Sequence, residues 1–72
     1  MSQRYLVIVE QGSNNYAAYS PDLPGCVATG KTREETLENM RTAMEMHLAG
    51  LAEDGAVAPE PSTTAEYVLV SS

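Results

Sequence analysis

Residues 20–35 read Ser-Pro-Asp-Leu-Pro-Gly-Cys-Val-Ala-Thr-Gly-Lys-Thr-Arg-Glu-Glu, a stretch that admits few conformations. Pro21 and Pro24 each fix φ and push the residue before them into an extended conformation. Gly25 permits a backbone turn that a Cβ would hinder. Residues 26–29 are small and β-prone. Gly30 and Lys31 signal a turn, and Thr32 followed by Glu35 reads as a capping box that opens a helix. The order rigid loop, short strand, tight turn and helix start follows, and the rest of the chain is arranged around it.

Upstream, residues 5–9 (Tyr-Leu-Val-Ile-Val) are apolar at every position, which predicts a strand buried on both faces at the centre of a sheet. Residues 10–15 are a turn, with Gly and Asn able to take positive φ. Residues 16–19 (Tyr-Ala-Ala-Tyr) return as the second strand of a hairpin, with Tyr16 and Tyr19 on opposite faces. Downstream of the capping box, Leu37, Met40, Met44, Leu48 and Leu51 fall within about 80° of one another at helical spacing. Met46 lies on the opposite side. Gly55 is the natural helix stop. Such a helix is about 33 Å long, more than a short strand can cover. Pro59 and Pro61 stiffen the connector over 56–64, and residues 67–70 (Tyr-Val-Leu-Val) read as a fourth strand.

The predicted class is therefore α+β, in the order β-β-β-α-β. A right-handed crossover places the fourth strand parallel to the first, giving a mixed four-stranded sheet of order 3-2-1-4 with one long helix on one face. The other face is left uncovered, and an uncovered sheet face or edge is a place to bind something.

Seventy-two residues form one small domain, 1–72, whose own core is marginal. One cysteine and one histidine provide neither an internal disulfide nor a zinc site. A partner chain is the remaining source of stability, so a homodimer or higher oligomer is expected. The net charge of −6 comes from ten acidic and four basic residues, with no run of Lys or Arg. That argues against direct binding of nucleic acid, whose affinity rests on neutralising phosphates. No signal peptide or bilayer-length apolar run is visible, and with a single thiol the expected location is cytoplasmic.

Gly25 to Thr32 matches the phosphate-loop pattern G-x-x-x-x-G-K-[ST] letter for letter. The pattern needs a buried strand immediately before it, and here that place holds Ser-Pro-Asp-Leu-Pro. The stretch is read as strand, turn and capped helix instead. His47 has only apolar helical neighbours at i±3 and i±4, so it lacks a partner for proton transfer. Cys26 has no base nearby to form a thiolate. Glu34, Glu38 and Glu45 share the outer helix face and read as a solvated surface. No catalytic residue, metal ligand or cofactor is predicted. Asp22, set between the two prolines, reads as a residue that caps or turns its own loop.

Tyr16-x-Ala18, Pro21-Asp-Leu-Pro-Gly-Cys26, Ala28, Gly30-x-Thr32-x-Glu-Glu-x-Leu37-x-Asn39, Asp54-Gly55 and Pro59-x-Pro61 together resemble the HicB-like antitoxin family over nearly the whole chain. Lys31 stands where the family often has Asp, and Thr36 where it often has Ala. The resemblance implies a partial RNase-H-like fold and a non-enzymatic antitoxin that occludes a small basic RNase toxin of the HicA type. Members commonly carry a C-terminal DNA-binding module, which is not expected in this chain. The expected partner-binding residues are Tyr19, Asp22 and Leu23. The structural motif comprises Pro24, Gly25, Gly30, Thr32, Glu35 and Gly55. The alternative is an orphan oligomeric domain that binds a small ligand or another protein and has no toxin partner.

Overall fold

A computed structural model describes residues 3–71; Met1, Ser2 and Ser72 lie outside the described residues. Three strands, β1 (Ile8–Gln11), β2 (Tyr16–Tyr19) and β3 (Val27–Gly30), precede one helix, α1 (Arg33–Glu53). The strands form an antiparallel sheet in the order β1-β2-β3. The register aligns Val9, Ala18 and Ala28 in one cross-strand row and Ile8, Tyr19 and Val27 in the next. Because side chains alternate along a strand, the first row faces the helix and the second faces away. The core confirms this assignment. Ala18, Leu23, Cys26 and Met40 are buried, with Val9, Ala28, Met44 and Leu48 packed against them.

The helix begins as its sequence requires. Thr32 is the N-cap, and its Oγ1 accepts from the Glu35 N–H at 3.0 Å. Glu35 reaches back one residue further than a standard capping box, its carboxylate accepting from the Lys31 N–H at 2.6 Å. The other end closes on Gly55, at φ +73°. Gly55 N–H donates to the Ala52 carbonyl and Ala56 N–H to the Leu51 carbonyl, the two bonds of a Schellman motif. The buried line on α1 is rotated slightly from the purely apolar stripe. Thr36 is fully buried beside Met40, because its hydroxyl donates to the Thr32 carbonyl at 2.7 Å and leaves no polar atom unpaired. The last turns of the helix overhang the sheet, with Leu51 alone in 49–53 partly buried.

Gly30 is set by close approach. A Cβ there would lie 2.7 Å from Thr36 Oγ1 and 2.8 Å from the Thr36 backbone nitrogen. Gly30→Ala should therefore destabilise the chain by about 1–3 kcal/mol, the usual cost of overpacking. A urea titration followed by helix ellipticity measures it.

The expected four-stranded sheet of order 3-2-1-4, with its partial RNase-H-like arrangement, is not formed. Residues 67–70 pair with no strand among the described residues. Tyr67, Val68, Leu69 and Val70 are 105%, 77%, 101% and 77% exposed. The cause is the course of the connector. Tyr5 Oη donates to the Pro59 carbonyl at 2.6 Å, and Ser62 and Thr63 are then held on Asp22. The chain thus crosses the loop end of the sheet, from the β1 side towards the β2–β3 loop, and leaves the body there. Two further corrections follow from that path. The 5–9 segment is at the sheet edge and only half-buried throughout. Its regular pairing also begins later, at Ile8, where Tyr19 is available opposite.

Candidate functional site: the open sheet face and the proline loop

The loop over 20–26 is two consecutive tight turns. Leu23 N–H donates to the Ser20 carbonyl and Cys26 N–H to the Leu23 carbonyl, both at 3.2 Å. Each turn carries proline at its second position, where φ is preset. Gly25, at φ +91°, takes the third position of the second turn, which only a residue tolerant of positive φ can fill. Between them the turns drive Leu23 inward to complete burial. Ser20, also buried, donates its hydroxyl to the Leu6 carbonyl at 2.8 Å and ties the loop to the lead-in of β1.

Asp22 points the other way, towards the connector. Its Oδ2 accepts from the Ser62 and Thr63 N–H groups, each at 3.0 Å. Its Oδ1 accepts from the Thr63 hydroxyl at 2.8 Å and the Ser62 hydroxyl at 3.1 Å. Thr63's hydroxyl and amide, then the Ser62 amide, hold the carboxyl at about 2, below its ordinary 3.8. A carboxylate offers about four acceptor positions, so this one is saturated within its own chain.

A depressed carboxyl pKa stabilises the arrangement that depresses it above the ordinary value. That stabilisation is lost as pH falls through the folded value. The 62–63 clamp should therefore be intact at neutral pH, hold to about pH 4, and open as the pH approaches 2. Asp22→Asn should open it at neutral pH. Hydrogen exchange at the Ser62 and Thr63 amides reads both effects, and unchanged exchange in Asp22→Asn would contradict the clamp.

Tyr19 stands at the C-terminal end of β2, just before this loop, 40% exposed. Ile8 and the 67%-exposed Val27 flank it in its cross-strand row. The open sheet face thus presents an apolar strip with an aromatic ring at its centre. Tyr19 closes β2 on the open face, Asp22 follows in the loop and bonds the connector, and Leu23 turns into the helix-side core. Ile8 and Val27 were not singled out by sequence reasoning. The alternation of β1 and β3 could have found them, but only with the register of all three strands in hand.

The remaining chemistry-bearing residues stay apart. Cys26 is buried as a free thiol, and burial pushes its pKa up, which keeps it out of the thiolate form. Among the described residues no three His, Cys, Asp or Glu side chains gather as metal ligands. No helix there is long and apolar enough to cross a membrane.

Residues 5–71 match the family model described as HicB-like antitoxin of bacterial toxin–antitoxin system. An uncharacterized 14.9 kDa protein from the rep–hol intergenic region of Haemophilus phage HP1 is 30% identical over 64 residues, covering 89% of this chain and 48% of the phage protein. A UPF0150 protein of Helicobacter pylori is 43% identical over 47 residues, 65% of each chain. A UPF0150 protein of Thermoplasma acidophilum is 35% identical over 49 residues, 67% of this chain and 71% of that one. The chain thus spans about half the length of the phage relative, at 48%, and 65% of the Helicobacter one. No solved structure matches.

Proposed function

The chain belongs to the HicB-like antitoxin family of bacterial toxin–antitoxin systems, and on that premise we propose that it neutralises a small basic RNase toxin of the HicA type by covering it. It does so without catalysis, in the cytoplasm, as a homodimer or higher oligomer. The observation that supports this reading is the uncovered apolar row Ile8–Tyr19–Val27, on a chain of net charge −6. An apolar strip with an aromatic centre supplies the kind of anchor that dominates protein interfaces. Acidic surroundings favour a basic partner and speed its approach.

The three residues expected to bind the partner take different parts in this reading. Tyr19 makes direct contact through its exposed ring. Asp22 acts as a fixed charge, since its acceptor positions are filled by Ser62 and Thr63. Leu23 works from below, anchoring the loop that carries Asp22. The test is co-expression with the product of a neighbouring gene that encodes a short basic protein. Growth arrest by that product alone, relieved by this chain, supports the reading. Arrest that this chain does not relieve rejects it.

A further inference from the structure

The four apolar residues at 67–70 lie free of the body, and the edge of β1 lies unpaired. We propose that these two features are the halves of one interface, in which residues 67–70 of each copy add as a strand to the β1 edge of a second copy. This deepens, and rests on, the oligomer part of the reading above.

The amount of exposed surface is the first argument. A folded monomer of 7.7 kDa is expected to expose about 4,300 Å². This chain exposes 5889 Å². The excess is larger than the roughly 800 Å² per partner of a standard interface. The shape agrees: the radius of gyration is 14.0 Å, against about 11 Å for a compact chain of this length.

The composition of the tail is the second. Tyr67 and Leu69 would face one side of a strand, Val68 and Val70 the other, so the segment is apolar on both faces and needs cover on both. The β1 edge offers that cover on its helix side. There runs a groove of about 610 Å³ whose apolar wall is Tyr5, Val7, Leu37, Met44 and Leu48, rimmed by Gln3, Arg4, Arg41 and Glu45. On the opposite side the added strand would lie next to Ile8 and extend the exposed row Ile8–Tyr19–Val27. The opposite edge of the sheet is less free, since the Thr29 carbonyl on β3 already accepts from Asn39 Nδ2 at 2.9 Å.

The clamp is the third. Asp22 fixes Ser62 and Thr63 at the loop end of the sheet, and residues 67–70 beyond them pair with no strand among the described residues. The seven residues 64–70 then span up to about 23 Å, enough to reach a neighbouring copy. Each copy gives one strand and receives one, so the exchange is isologous and closes as a two-fold dimer.

The full chain, Leu69→Pro and Val70→Asp are compared by light scattering at micromolar concentration, with hydrogen exchange over residues 5–9. Proline removes a ladder donor and aspartate places a charge in the apolar ladder. Both positions are exposed in the monomer, at 101% and 77%, so helix ellipticity should be retained. The expected result is twice 7.7 kDa for the full chain and the monomer mass for both variants. Exchange at the outward amides of 5–9 should be about tenfold faster in the variants. A monomeric full chain would overturn both the oligomer and the exchange. A dimer that survives in both variants would leave the oligomer standing and overturn the exchange. Variants that stay dimeric but lose a basic protein partner would assign the tail to that partner and likewise overturn it.

Discussion

Leu23→Ala is expected to lower the melting temperature by roughly 8–40 °C, the upper part of which amounts to unfolding the chain outright. Leu23 is completely buried, and removing a buried leucine costs about 2–5 kcal/mol in lost transfer energy and cavity. For a domain this size each kcal/mol shifts the midpoint by about 4–8 °C. The total available is small, about 4–11 kcal/mol at the usual stability per residue. A core built on Ala18, Leu23, Cys26 and Met40 belongs at the low end of that range. Leu23 also joins two turns, one on either side, so its loss loosens the loop that positions Asp22. The Asp22 amide clamp and the helix should therefore fail together in the variant. Melts followed by ellipticity, at one fixed concentration so that any dimer contributes equally, check this. A shift under 3 °C would mean that the loop can repack without Leu23, against the account given of the two turns.

Tyr19→Asp is the second large effect, and it falls on binding rather than stability. The ring sits at the centre of the exposed row and is 40% exposed, so its removal leaves the core row of Val9, Ala18 and Ala28 untouched. A central aromatic anchor is worth about 2 kcal/mol or more at an interface, which is a loss of roughly 30-fold in affinity for the toxin. If the strip faces the partner as proposed, a carboxylate in its place also leaves a buried charge once the interface closes. Met46→Ala is the control. Met46 is 70% exposed on the helix side of the molecule, and its replacement should leave affinity unchanged. Equal losses in the two variants, or a loss in Met46→Ala alone, would move the interface to the outer helix face.

The helix and the loop were legible in the sequence because local chemistry determines them. Thr32, Glu35 and Gly55 have side-chain or backbone requirements that act within a turn or two, and the structure places each where that reading put it. Gly25 is the same kind of case, since its turn requires positive φ. Residues 67–70 were misjudged for the opposite reason. Their strand-like composition is real, but a strand needs an accessible edge. Access here depends on hydrogen bonds between residues 40 and 54 positions apart, which no local pattern reveals. The same connector turned Asp22 from a lone loop carboxylate into a saturated anchor. Thr36 was hidden by its polarity, because a hydroxyl bonded to the preceding turn packs as an apolar group would. The Ile8–Tyr19–Val27 row required the register of three strands, which alternation within each strand does not supply.

The central claim is that this chain covers a toxin through its open sheet face. Its most direct test is the titration of a purified small basic RNase, taken from a neighbouring gene, with the full chain while cleavage of an RNA substrate is followed. The account predicts that cleavage stops at a fixed molar ratio and that Tyr19→Asp shifts the curve to at least about 30-fold higher concentration. Undiminished cleavage in saturating chain would contradict the antitoxin reading, and full inhibition by Tyr19→Asp at the original concentration would contradict the open face as its site.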